Sequence, residues 1–143
     1  MNETLARPRV AAKLPSVRPA SAAVTSAEAG AMLRAVFRLF EKWHVTDAEA
    51  RILLGQPSAS TLYRWKRGEI GAIPSDTVWR LADLMGIHKA LRFLFADVER
   101  GYAWVRKPNL AFAGRSALER MLAGAPADLT GVRAYLDADR SGW

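Results

Sequence analysis

Thr46-Asp-Ala-Glu-Ala-Arg-Ile-Leu-Leu-Gly-Gln-Pro-Ser-Ala-Ser-Thr-Leu-Tyr-Arg-Trp-Lys-Arg-Gly68 is the stretch whose reading decides the fold. Thr46 and Glu49 have the spacing of a capping box, in which the threonine oxygen takes an orphan helix N–H and the glutamate reaches back to the threonine N–H. They open a short helix through Leu53 and Leu54, which Gly55 ends in a left-handed conformation. Gln56 and Pro57 make the turn, Ser58 caps a second helix, and Gly68 stops it after Arg67. A short helix, a tight turn with glycine and a second helix are the proportions of a helix-turn-helix.

The second of these helices has unlike faces. Spacing puts Ser60, Tyr63, Arg64 and Arg67 on one stripe and Leu62 and Trp65 on the opposite side, with Thr61 between. A DNA reader needs that division, because apolar anchors fix the helix on its neighbours while hydroxyl and guanidinium groups face phosphates and base edges. Ser60, Tyr63 and Arg64 are the candidates for base edges, and Lys66 and Arg67 for phosphates. Ser58 and Thr61 at the helix start complete the expected DNA-contacting set, and Trp65 is expected in the core. Nowhere else in the chain do three basic residues fall within four positions.

Outward from this stretch, the punctuation continues. Thr25-Ser-Ala-Glu28 is another capping box, ahead of a helix with Leu33, Val36, Phe37 and Phe40 on one stripe and Arg34, Arg38 and Lys42 on another. Ser75 starts a helix expected to end at Gly86, with Val78, Leu81, Ala82 and Met85 at apolar helical spacing. A separate helix is expected to repeat the pattern with Ile87, Ala90, Leu91 and Leu94. Residues 99–114 read as a short helix and a loop. Ser116-Ala-Leu-Glu119 is a third box, opening a helix that Gly124 closes, and Pro126 stands near the start of a last helix carrying Leu129, Val132 and Leu136. β-Branched residues do not alternate over strand length, so the fold class is all-α. Residues 1–24, rich in Ala, Pro, Ser and basic residues, predict a disordered basic arm. The expected division is arm 1–24, DNA-binding domain 25–86 and helical region 87–143.

Composition narrows the function classes. The chain has 143 residues, half of them apolar, which suffices for a core without staples. It has no cysteine, which excludes disulfides, a cysteine nucleophile and cysteine-containing metal sites. His44 and His88 are its two histidines, too few for a metal site with a separate base, and both read as structural. No Ser/His/Asp set, phosphate-cradling glycine loop or acid/base carboxylate pair can be named, so no enzyme, catalytic residue, metal or cofactor is expected. No apolar run is long enough to span a membrane, and a cytoplasmic protein is expected. A net charge of +7 favours nucleic acid or an acidic partner, but the excess is spread along the chain.

Leu53-Leu54-Gly55 and Ser60-Thr61-Leu62-Tyr63-Arg64-Trp65-Lys66-Arg67-Gly68 resemble the helix-turn-helix of the Xre/MbcA/ParS-like antitoxins. The likeness continues through Met85-Gly86-Ile87-His88-Lys89-Ala90-Leu91-Arg92-Phe93-Leu94-Phe95. It reaches Trp104-Val105-Arg106-Lys107-Pro108-Asn109, Phe112, Gly114-Arg115-Ser116, Met121, Gly124 and Arg140-Ser141-Gly142-Trp143, which look like that family's toxin-binding region. It covers about residues 27–143. The resemblance implies an N-terminal Xre-like bundle followed by a small α-helical toxin-binding region, in a bacterial type II antitoxin that is usually a homodimer. It implies a RES-domain toxin that consumes NAD as partner, inhibition by occlusion of the toxin's active site, and operator DNA of the antitoxin's own promoter as the second partner. Arg106, Lys107, Asn109, Arg115, Arg140 and Trp143 are the candidate toxin-facing residues. Their cations are suited to carboxylates on a toxin, and Trp143 either tucks onto the last helix or anchors in a partner. Residues 104–143 are expected to neutralise the toxin independently of the helix-turn-helix. The alternative is a stand-alone repressor whose C-terminal region dimerises or senses a ligand.

Overall fold

Threonine and serine caps set most of the helix starts. In the computed structural model, which describes residues 24–141, helix α1 (Ser26–Trp43) begins at Thr25, whose Oγ1 accepts from Glu28 N at 3.1 Å while Thr25 N donates to Glu28 Oε1 at 2.8 Å. Thr46 and Glu49 repeat this box for α2 (Asp47–Leu53), and Ser58 accepts from Thr61 N to start α3 (Ala59–Lys66). Next come α4 (Ser75–Leu94) and α5 (Val98–Trp104), the latter capped by Asp97. A 3₁₀ turn (Leu110–Phe112) leads to α6 (Ala117–Met121), opened by the Ser116–Glu119 box, and to α7 (Pro126–Arg140). The fold is all-α, and among the described residues the β pairing is one isolated antiparallel bridge, Pro108 with Ser116. No helix among the described residues is long and apolar enough to cross a membrane. The expected arm up to residue 23 and Trp143 lie outside the described residues.

The two helices expected to meet at Gly86 are one. Helix α4 runs 20 residues straight through that glycine. Its role is room: a Cβ on Gly86 would collide with the Arg133 side chain of α7, which crosses α4 closely enough for Arg133 Nη1 to donate to Ala82 O and Asp83 Oδ1, both at 3.2 Å. The expected boundary between residues 86 and 87 therefore falls inside a helix. The apolar stripe is also broader than expected, because α4 packs against α1 on one side and α7 on another. Leu81, Leu84, Ile87, Ala90 and Leu91 are buried together with Thr77, Arg80 and Asp83, while Val78, Ala82, Met85 and Leu94 are half-buried.

One core runs through the described residues, from Leu33 to Leu136. Leu33, Val36, Phe40 and Trp43 of α1, Leu53, Leu54, Leu62 and Trp65 of the helix-turn-helix, and Val105, Met121, Leu129, Val132 and Leu136 belong to a single buried cluster. Polar ties reinforce it: Arg106 donates from Nε to Trp43 O at 2.8 Å and from Nη2 to His44 O at 2.7 Å, closing the C-terminal end of α1. The apolar faces of residues 104–136, and the Arg106 guanidinium, thus find partners in residues 26–94, so the C-terminal segment shares its core with the helix-turn-helix.

His88 and Tyr102 stack across α4 and α5 with ring centroids 6.1 Å apart and planes 5° from parallel. Burial pushes the His88 pKa below its ordinary 6.5, and the Arg92 charge adds to the effect. Lys42, over the Tyr102 ring at 5.9 Å, and Arg38 line the same recess. Below 6.5 the unfolded chain takes a proton that the folded chain resists, so stability should fall as pH drops through this window and level off once folded His88 is protonated. Urea midpoints measured between pH 5 and 8 should show this slope in the wild type, and His88→Gln should flatten it. Equal slopes in both would remove His88 as the cause.

Candidate nucleic-acid interface and C-terminal surface

The turn between α2 and α3 is built on two positive-φ residues, Gly55 at 93° and Gln56 at 66°. Gln56 N donates to Arg51 O at 2.7 Å, and Arg51 Nε to Pro57 O at 2.8 Å, so the helix that precedes the turn also holds its far side. Gly55 is required twice over, because a Cβ there would lie 2.7 Å from the Asp76 carboxylate. The start of α4 presses on this turn: Thr77 Oγ1 donates to Leu54 O at 2.8 Å. Arg80, only 6% exposed, donates to Asp76 Oδ2 at 2.9 Å, Ile52 O at 3.3 Å and Gly124 O at 2.9 Å. This arginine joins the end of α2 to the turn before α7. Sequence reasoning missed it; the i, i+4 spacing of Asp76 and Arg80 was visible, but its distant carbonyl partners carry no sequence signal.

With the turn fixed, α3 presents the division its sequence predicts. Leu62 and Trp65 are buried, Trp65 to 4% exposure, while Ser60, Tyr63, Arg64 and Arg67 face solvent. Tyr63 is 61% exposed, with the Arg67 guanidinium 5.4 Å from its ring centroid. Arg67 also pairs with Glu69 at 3.2 Å, and Lys66 with Asp47 at 2.8 Å. Such exposed pairs contribute at most about 1 kcal/mol, so a phosphate can replace either carboxylate. Arg64 donates to Thr61 Oγ1 at 3.3 Å and has no carboxylate in ion-pair range among the described residues. The Ser58 hydroxyl accepts from Thr61 N at 3.1 Å and donates to Thr61 Oγ1 at 3.0 Å, so these two residues hold the helix start. Ser60 Oγ lies 3.2 Å from Ser58 Oγ and stays exposed.

The C-terminal candidates do not gather in one place. Arg106 is engaged by the end of α1 and lies 3.6 Å from Glu49. Asn109 caps the 3₁₀ turn, its Oδ1 accepting from Ala111 N at 2.8 Å. Lys107 and Arg115 are exposed at the two ends of the same loop, without a carboxylate partner among the described residues. Arg140 sits apart, 3.9 Å from Asp137 and 5.0 Å from the centroid of Phe93, a ring 65% exposed. Leu110 was passed over by sequence reasoning, because a lone leucine in a loop has no periodicity to mark its face, yet it is 93% exposed.

Against known proteins, residues 22–86 match the antitoxin Xre-like helix-turn-helix domain, and residues 90–142 match the antitoxin Xre/MbcA/ParS C-terminal toxin-binding domain. A relative from Sinorhizobium fredii, named only as uncharacterized protein y4oB, is 44% identical over 126 residues, covering 88% of this chain and 97% of its own. No solved structure matches the chain. One matched segment ends and the other begins within α4, on either side of residues 87–89. A helix-turn-helix with a buried Leu62–Trp65 anchor, continuous with a domain matched as toxin-binding, places this protein in the Xre/MbcA/ParS-like antitoxin family.

Proposed function

We propose that this protein is the antitoxin of a bacterial type II module whose toxin is a RES-domain enzyme that consumes NAD. In this reading it acts in the cytoplasm as a homodimer. Residues 87–143 bind the toxin and occlude its active site, with Lys107, Arg115, Arg140 and Trp143 reaching it and Arg106 and Asn109 shaping the surface from within. Residues 25–86 bind the operator of its own operon. The observation that carries the proposal is an exposed basic face on α3 in the same chain as a matched toxin-binding domain. Expression of the toxin encoded beside this gene should arrest growth and deplete cellular NAD, and co-expression of the antitoxin should reverse both. Continued depletion despite a folded antitoxin in excess would overturn the reading.

The DNA half has its own test. Arg64→Ala together with Arg67→Ala should weaken promoter binding by about 1–3 kcal/mol for a lost base contact, or lower the salt slope by about two phosphates. Both side chains are exposed, so melting should be unchanged. Fluorescence anisotropy on promoter DNA over a salt series reads both quantities. Wild-type affinity and slope in the double variant would take these arginines out of the interface.

A further inference from the structure

The loop between α5 and α6 is a fixed frame. Its ends are joined at Pro108 and Ser116, and Asn109 N donates to Arg115 O at 3.0 Å. Gly114 N and Phe112 N both donate to Asn109 O, at 3.0 and 2.9 Å, and Asn109 Oδ1 accepts from Ala111 N. The frame holds Ala113 at φ 58° and Gly114 at φ 83°, and the first is a conformation that an alanine adopts only under constraint. Inside it, Phe112 is buried against Trp104 and Tyr135, with ring centroids 6.3 and 5.3 Å away. Outside it stand Leu110, almost fully in water, and the exposed Ala111 and Ala113.

A single exposed leucine needs no explanation. Here an apolar tip is held by a hydrogen-bonded frame and flanked by two cations, Lys107 and Arg115, that lack carboxylate partners among the described residues. A backbone already held in place loses little freedom when its side chain docks, which favours binding over a mobile loop. The whole loop also lies inside the segment matched as toxin-binding. We propose that Leu110 is the apolar anchor of the toxin interface, seated in an apolar socket of the toxin whose rim carries carboxylates that pair with Lys107 and Arg115. This rests on the antitoxin reading above. It places the centre of the interface on the 108–116 loop.

Calorimetric titration of the full-length chain with the purified toxin encoded beside its gene, made inactive by substitution, tests the assignment. Leu110→Ser should weaken binding about tenfold or more, with melting temperature and promoter binding unchanged. Lys107→Glu with Arg115→Glu should also weaken binding, by a factor that shrinks as salt is raised. Wild-type affinity in Leu110→Ser, while the wild-type complex forms normally, would overturn the anchor and leave the antitoxin reading standing. Failure of the wild-type chain to bind this toxin would overturn that reading, and the anchor with it. If Leu110→Ser instead turns a dimer of the free chain into a monomer at unchanged toxin affinity, the leucine joins two copies and the proposal falls.

Discussion

A fragment beginning at residue 87 should not fold. The cut divides α4 and discards Leu81, Leu84, Arg80 and Asp83, four buried residues of the helix against which α7 packs. Thr130 loses its acceptor, Asp83 Oδ2 at 2.8 Å, and Arg133 loses Asp83 and Ala82 O. Arg106 loses both carbonyls at the end of α1. A chain of this size buries too small a share of its surface to offset such losses, since domains of about 60 residues are marginal even with a whole core. The fragment should therefore show a coil-like circular dichroism spectrum and no cooperative melt, whereas residues 24–143 should melt in one transition. A cooperative, helical fragment would show that the two halves are separate domains after all. The result bears on function: if the halves share one core, toxin docking and the posture of the helix-turn-helix are properties of one body.

Arg80→Met should be among the most damaging single substitutions outside the apolar core. Methionine fills much of the same volume, so the loss isolates the hydrogen bonds. Ile52 O and Gly124 O would lose their guanidinium donor, and Asp76 its partner. An unsatisfied buried polar group costs about 1–3 kcal/mol; Ile52 O keeps Gly55 N at 3.3 Å and Asp76, with its side chain 48% exposed, is rescued by water, so the total should be about 1–3 kcal/mol. That corresponds to a fall in melting temperature on the order of 10 °C. Asp76→Asn should cost clearly less, because it leaves both carbonyl contacts in place. Equal melting of Arg80→Met and wild type would mean that the carbonyls find other partners.

The helix starts were legible because their chemistry is local. Thr25 with Glu28, Thr46 with Glu49, and Ser116 with Glu119 each lie three residues apart, and nothing elsewhere in the chain is needed to close those boxes. The faces of α3 were legible for a similar reason: eight residues at 3.6 per turn assign Leu62 and Trp65 to one side and Tyr63 and Arg64 to the other. What that helix binds was legible only as a class of chemistry, hydroxyls and guanidinium groups without an acidic neighbour on the helix itself.

Gly86, Arg80, Arg106 and Leu110 were decided by the tertiary structure. Gly86 looks like a stop because glycine ends helices, but whether it ends one depends on what crosses it, and Arg133 stands far along the chain. Arg80 and Arg106 look like solvated cations until the fold brings carbonyls 44 and 63 residues away into reach. Leu110 takes its meaning from the opposite operation, since the frame that buries Phe112 leaves the neighbouring leucine outside. Caps and helical periodicity are short-range constraints written into adjacent residues, so the chain alone determined the all-α elements and the basic face of α3. The joining of both halves into one core, and the division of its arginines between structure and surface, depended on which distant helices met.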